Sequence, residues 1–227
     1  MVASSAAEEI VLTADAAHRV SALLISPPGA FACYVLAHGA GVGMTHPSMQ
    51  SVAVELGERG VATLRYQFPY MEQGAKRPDP PVLCHATVRA AVAKAGELKL
   101  PLIAGGRSFG GRMTSQAQAK SALPGVRGLA FLGFPLHPAG RPSDDRAEHL
   151  FDVTIPMLFL QGTRDALADL SLLRPLVDRL GKRATLTLLE DADHSFHVPA
   201  KTGRKDAEVR RKILDALAAW TKTLIAG

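Results

Sequence analysis

Cysteine is scarce in this sequence: Cys33 and Cys84 are the only two among 227 residues. Two cysteines are too few for the disulfide framework that stabilises small secreted proteins, and their spacing matches no metal-binding motif. We therefore expect both to be free thiols in or near the core of a protein of the reducing cytoplasm.

Long apolar runs are also missing, and no uninterrupted stretch reaches the length of a membrane span. The first nine residues lack the basic segment followed by an apolar segment that marks a secretory signal. These two absences predict a cytoplasmic protein that makes no contact with membranes.

The charge balance of the sequence does not point to a nucleic acid or another macromolecule as ligand. Lys and Arg number 26 against 21 Asp and Glu, which gives a formal net charge of +5. Basic residues are scattered except in residues 201–212, where Asp206 and Glu208 dilute the run. A solvated helix face explains such a segment, so we expect no nucleic-acid binding. We expect a small-molecule substrate and a monomer or homodimer.

The length and the 47% apolar composition suit one globular domain over residues 1–227. Strand-like and helix-like segments alternate, which is typical of a mostly parallel sheet with helices on both faces, an α/β fold. Eight strands are predicted, at residues 10–13, 20–25, 33–37, 61–66, 102–104, 128–132, 157–161 and 184–189. The first two are expected to form an antiparallel hairpin at the sheet edge.

Helices are predicted at residues 47–59, 82–98, 112–120, 169–180 and 207–225. The prolines in residues 67–81 predict a loop without regular structure. Residues 133–154 are predicted to be a loop with one helical turn near residues 146–151. That insertion is too short for a large cap domain.

The most informative motif is Gly106-x-Ser108-x-Gly110, which lies between an apolar strand-like run and a helix-like run. A nucleophile elbow requires this context, because the turn is tight and the glycines let the backbone pass close to its neighbours. Ser108 would then be held in a strained conformation with its Oγ exposed. We predict that Ser108 is a nucleophile, since a glycine-rich turn capping a helix explains less of the context.

A serine nucleophile needs a base and an acid that orients the base. Asp165 follows the seventh predicted strand and His194 follows the eighth, so both lie on loops expected to line the crevice. The resulting chain order, Ser108, Asp165, His194, is that of α/β-hydrolases. Asp165 could instead be a turn or helix-capping residue, with Asp169 then the acid, and His197 is the alternative base.

The oxyanion hole is expected to use the backbone N–H of Phe109, the residue after the nucleophile. A second N–H should come from the small residues after the first central strand. Ala40 is the preferred donor, and Gly39 and Gly41 could share the role.

With these parts located, the chain resembles the α/β-hydrolase fold superfamily over nearly its whole length. Four stretches resemble the small hydrolase-like proteins grouped with testis-expressed protein 30 and with the hydrolase-like domain of an NSL-complex subunit; they are residues 38–47, 105–112, 133–138 and 160–165. The resemblance implies a compact core with little or no cap and the same triad positions. Dienelactone hydrolases are similar in size and layout, but they use a cysteine nucleophile where this chain has Ser108.

Four further residues fall on segments expected near the crevice and are candidates for substrate binding. They are Arg107, Arg112, Tyr66 and His137. The arginines could bind an anionic acyl or alcohol group, although structural roles are favoured: Arg112 paired inside the fold and Arg107 bracing a neighbouring loop.

Together these features predict a serine hydrolase that cleaves a small carboxylic ester or thioester through an acyl-enzyme, with no metal or organic cofactor. The alternative is a non-catalytic hydrolase-fold protein that binds a partner or ligand, since fold does not dictate function. The joint presence of nucleophile, base and acid favours the enzyme.

Overall fold

The computed structural model of the chain describes residues 7–226. Eight strands form one sheet in the order β1-β2-β4-β3-β5-β6-β7-β8. The strands are β1 Glu8–Thr13, β2 Arg19–Ile25, β3 Ala32–Ala37, β4 Val61–Tyr66, β5 Leu102–Arg107, β6 Val126–Leu132, β7 Met157–Gly162 and β8 Ala184–Leu189. The α-helices are α1 Pro47–Gly57, α2 Pro69–Glu72, α3 Pro81–Gly96, α4 Phe109–Lys120, α5 Leu170–Leu180 and α6 Asp206–Ala226.

Strands β1 and β2 form the expected antiparallel hairpin, and β2 also pairs antiparallel with β4. All other neighbouring strands are parallel. The predicted fold class, a mostly parallel eight-stranded sheet with helices on both faces, is therefore confirmed.

Two apolar clusters cover the two faces of the sheet. Strand β3 is fully buried, and its side chains alternate between them: Val35 belongs to the cluster with α3, α4 and α5, while Leu36 belongs to the cluster with α1 and α6. Cys33 and Cys84 are buried free thiols, as predicted.

One local prediction is wrong: residues 67–81 are not entirely irregular, because Pro69–Glu72 form the short helix α2. Pro69 occupies the first turn, where a missing N–H breaks no intrahelical hydrogen bond. The carboxylate of Glu72 accepts hydrogen bonds from the backbone N–H and hydroxyl of Ser21 on β2. This contact with a distant strand is invisible to local pattern reasoning.

The insertion between β6 and β7 is small, as expected, and its only helix is a 3-10 helix at Asp145–Asp152. Within residues 7–226, no helix combines the length and apolarity needed to cross a membrane. Residues 1–6, part of the segment that lacks a signal-like pattern, lie outside the described residues.

The parallel register brings the carboxyl ends of β3, β5, β6, β7 and β8 to one edge of the sheet. The loops that follow them therefore meet there, which is where open α/β sheets bind ligands. Ser108, Asp165 and His194 all lie on these loops.

Candidate active site

The turn from β5 to α4 holds Ser108 in an unusual backbone conformation, with φ +50° and ψ −117°. Space is restricted on both sides of it: a Cβ on Gly106 would lie 2.3 Å from the carbonyl oxygen of Ala37, and one on Gly110 would lie 2.4 Å from that of His38. Ser108 occupies the N-cap position of α4, yet its side chain makes no capping hydrogen bond. The hydroxyl is therefore available to another partner.

That partner is His194. The Oγ of Ser108 lies 2.8 Å from His194 Nε2, and His194 Nδ1 lies 2.7 Å from Asp165 Oδ2. The side chain of Asp165 is fully buried, whereas that of His194 is 22% exposed. The structure thus brings the predicted serine, histidine and aspartate into one hydrogen-bonded chain that reaches solvent at the histidine.

Asp165 is held in place by further hydrogen bonds. Its Oδ1 accepts a hydrogen bond of 2.8 Å from the backbone N–H of Leu167, and its Oδ2 accepts one from the side-chain amide of Gln161. The carbonyl oxygen of that amide accepts a hydrogen bond from the backbone N–H of Phe134, at 2.9 Å. Sequence reasoning missed Gln161; the available signal was a polar residue at the end of the apolar run of β7, four residues before the aspartate, and the structure shows that it is fully buried.

Neither the alternative acid nor the alternative base joins the Ser108–His194–Asp165 hydrogen bonds within residues 7–226. Asp169 caps α5 by accepting a hydrogen bond from Ser171, and the ring of His197 pairs with Asp206 at 2.9 Å. The geometry favours the preferred residues, Asp165 and His194, over both alternatives.

The N–H groups of Phe109 and Ala40 have no protein acceptor within the described part of the chain. Gly39 lies against Ser108, since a Cβ on it would be 3.8 Å from the Cβ of the serine, and the same position at Gly41 meets open space. The loop after β3 therefore passes beside the serine at ordinary contact distance.

This loop is braced by His38, which is fully buried. His38 Nδ1 lies 2.7 Å from the carbonyl oxygen of Gly39, and its Nε2 accepts a hydrogen bond of 3.0 Å from the backbone N–H of Phe68. Burial lowers the pKa of His38 to about 4. The ring is therefore neutral, with its proton on Nδ1, and ties the loop to the start of α2.

The other side of the loop is held by Tyr70, whose hydroxyl donates a hydrogen bond of 2.9 Å to the carbonyl oxygen of Ala40. The rings of Tyr70 and Phe68 both pack edge-on against Phe109. Helix α2, absent from the sequence prediction, thus supports both expected oxyanion donors.

Two of the expected substrate-binding residues are held within the fold. Tyr66 is fully buried in the core, because its position on β4 points toward the face covered by α3 and α4. His137 is 3% exposed, its Nδ1 lies 2.9 Å from the carbonyl oxygen of Pro138, and its Nε2 accepts a hydrogen bond from Asp169 N–H. Backbone groups occupy both ring nitrogens of His137, although the residue lines a cavity together with Asp165.

Arg107 and Arg112 are only partly buried. Arg112 lies over the ring of Phe109, 5.8 Å from its centroid, and its Nε is buried without a hydrogen-bond partner among residues 7–226. Arg107 donates a hydrogen bond of 2.9 Å to the hydroxyl of Ser48 at the start of α1.

Solved structures with the same fold include several hydrolases. A serine hydrolase without a lid from Xanthomonas campestris shares 21% identity at a TM-score of 0.72, with 95% of each chain covered. The dienelactone hydrolase of Anabaena variabilis shares 19% identity at a TM-score of 0.73, covering 96% of this chain and 97% of that chain. Est1E from Butyrivibrio proteoclasticus shares 16% identity at a TM-score of 0.72, covering 96% and 99%.

At these identities the structural likeness shows the fold alone. A family model described as an alpha/beta hydrolase domain matches residues 30–222, a span that contains the serine, the aspartate, the histidine and the loop after β3. The chain therefore belongs to the alpha/beta hydrolase domain family.

Proposed function

We propose that the protein is a serine hydrolase that cleaves a small carboxylic ester or thioester through an acyl-enzyme. The observation that carries this proposal is the chain of short contacts from Ser108 through His194 to Asp165, at 2.8 and 2.7 Å. A nucleophile, a base and an orienting carboxylate are the parts that acyl transfer needs, and here they lie in their required order.

In the first step, His194 Nε2 accepts the proton of the Ser108 hydroxyl as Oγ attacks the carbonyl carbon. Asp165 fixes the proton of the neutral imidazole on Nδ1 and stabilises the imidazolium that forms. The Gln161 amide and the Leu167 N–H support the carboxylate and keep it from rotating away. The imidazolium then gives its proton to the departing alcohol or thiol.

The negative charge of the tetrahedral intermediate needs preorganised donors. The N–H groups of Phe109 and Ala40 are suited to this role because neither is used within the described fold. Removing one such donor in other enzymes costs about 100- to 1000-fold in kcat.

Deacylation repeats these steps with water as the nucleophile. The partial exposure of His194 gives water a path to the base. With only a 3-10 helix in the insertion between β6 and β7, the site is open to small, accessible esters.

The proposal is tested by exposing the protein to a fluorophosphonate probe and measuring the intact mass. Wild type is expected to gain one adduct and Ser108→Ala none. Ser115→Ala is the matched control, because the hydroxyl of Ser115 also lies against a histidine, 2.7 Å from His149 Nε2. That variant should label as wild type does.

Turnover of short p-nitrophenyl esters and of matched thioesters then resolves which bond is preferred. Unlabelled, folded wild type that turns over none of these compounds would contradict the proposal and favour a binding protein with a hydrolase fold.

A further inference from the structure

A small cleft with a cavity volume of about 80 Å³ lies between the start of α1 and helix α6. Its walls are largely apolar and are formed by Met49, Val52, Leu132, Phe196 and Ile213. Apolar walls with a few placed polar groups are a feature of small-molecule sites, and a cleft of this size suits a short substrate group.

Neither Ser108 nor His194 lines the cleft, but each has a chain neighbour in its wall. Arg107, which lines it, directly precedes Ser108, and Ser195, which also lines it, directly follows His194. The cleft therefore lies at the carboxyl end of β5, one residue from the elbow.

The charged groups of the cleft differ in how they are neutralised. Arg210 pairs with Glu55 at 2.6 Å, and Asp206 pairs with His197 at 2.9 Å. Arg107 has no carboxylate within 4.0 Å among residues 7–226, and its guanidinium donates only to the neutral hydroxyl of Ser48.

Partial burial of Arg107 makes this lack of a counter-ion significant. Burial lowers the pKa of its guanidinium, and the more distant negative charge of Asp193 only partly offsets this. Arginine stays charged, and a buried charge without a partner is costly. Its planar group offers several donors, of which one is used by Ser48, so the cleft presents a cation with donors free for a ligand one residue from Ser108.

We propose that Arg107 binds an anionic group of the substrate, a carboxylate or a phosphate, in the cleft between α1 and α6. This rests on the proposed hydrolase function and narrows its substrate class to acidic esters or thioesters. The apolar walls contact the carbon chain that joins the anionic group to the reacting carbonyl.

The test measures binding in the Ser108→Ala background, where no ligand is consumed. Three acidic esters place the anion differently: monomethyl glutarate on the acyl side, acetoxyacetate on the alcohol side, and 2-acetoxyethyl phosphate as a phosphate. Methyl pentanoate and ethyl acetate are the neutral counterparts. Titrations followed by NMR should show that at least one acidic ester binds more tightly than its counterpart, and less tightly as salt is added.

Adding Arg107→Gln should weaken that binding by about 10- to 100-fold, the range for a hydrogen bond to a charged group. Arg211→Gln is the matched control, since it removes the same charge from an exposed position on α6 and should leave the affinity unchanged. Arg107→Lys keeps the charge and should retain part of the affinity, which gives a second measurement if the Gln variant folds poorly.

Equal binding of acidic and neutral esters, or acidic-ester binding that neither Arg107 variant alters, would overturn the anion site. The proposed hydrolase function fails separately, through the absence of a fluorophosphonate adduct on wild type. An adduct without dependence on Arg107 rejects the anion site alone, whereas Arg107-dependent binding without an adduct rejects catalysis alone.

Discussion

Two serine–histidine pairs involve helix α4: Ser108 directly precedes the helix, and Ser115 lies within it. The two pairs have similar distances but different surroundings. Ser108 and His194 are 2.8 Å apart, and Ser115 and His149 are 2.7 Å apart. Ser115 is fully buried within the helix, and its hydroxyl also donates a hydrogen bond of 3.0 Å to the carbonyl oxygen of Arg112. Ser108 stands before the helix with φ +50° and makes no such bond.

The histidines differ as well. His194 has a buried carboxylate on its other ring nitrogen, whereas no carboxylate is hydrogen-bonded to His149 among residues 7–226. Burial first, and the positive charge of Arg112 second, lower the pKa of His149 to about 4. A serine and a histidine in contact are therefore not sufficient for the proposed chemistry, which also needs an exposed elbow and an orienting acid.

The largest difference between the pairs should appear on removing the base. We expect His194→Gln to lower kcat/KM toward an accepted ester by about 10⁴-fold or more, because the nucleophile loses its proton acceptor. His149→Gln should change it by less than about threefold, within the range of ordinary structural perturbation. Steady-state kinetics on both variants checks this prediction. Equal losses of kcat/KM would show that the two histidines do not differ in their contribution to catalysis.

The orienting carboxylate can be tested without changing its shape. Asp165→Asn should lower kcat by about 10³- to 10⁴-fold, since an amide favours the wrong imidazole tautomer. Asp169→Asn is the control, because Asn caps a helix about as well as Asp does and the hydrogen bond of the Asp169 side chain within residues 7–226 is the cap to Ser171. If both variants keep wild-type kcat, Asp165 is not the carboxylate that orients His194.

The backbone of the elbow should be less tolerant of added volume than ordinary helix. Gly110→Ala is expected to lower the free energy of unfolding by about 1 to 3 kcal/mol or more through overpacking, because its Cβ would lie 2.4 Å from a backbone oxygen. Gly96→Ala, at the exposed end of α3, meets nothing within 4 Å and should be neutral or slightly stabilising. Urea denaturation measures both; a neutral Gly110→Ala would show that the elbow can relax.

The smallest effect concerns the pH dependence of stability. His149 stays neutral in the folded state down to about pH 4, whereas in the unfolded chain it gains a proton near pH 6.5. The unfolded state therefore binds more protons between these values, and the free energy of unfolding falls as the pH falls through this window. Between pH 7.5 and 5.0 the loss should be about 1 to 2 kcal/mol for this residue.

His149→Gln removes that contribution, so its urea midpoint should fall less between the two pH values than that of wild type. Some pH dependence should remain, because burial also lowers the pKa of His38 to about 4. Identical pH profiles for variant and wild type would show that His149 is not held neutral by the fold.

Much of the fold and of the candidate site can be predicted from the sequence, because the patterns that indicate them span only a few neighbouring residues. Each proposed catalytic residue lies on the loop that follows a strand, and the alternation of strands and helices places those strand ends at one sheet edge. The burial of Tyr66 and the backbone partners of His137 could not be predicted, because a residue type near the crevice does not reveal which way a strand side chain points or which backbone groups occupy a ring. Helix α2 was missed for a similar reason, since Glu72 anchors it to a strand far away in sequence.

The sequence by itself determined the fold class and predicted the elbow at Ser108 with Asp165 and His194 as its partners, because strand periodicity and glycine placement act over a few residues. Only the tertiary structure decided that Gln161 and His38 brace the site, and that Arg107 faces an apolar cleft without a counter-ion. The physical reason is that burial and hydrogen-bond partnership are set by atoms brought together from distant parts of the chain.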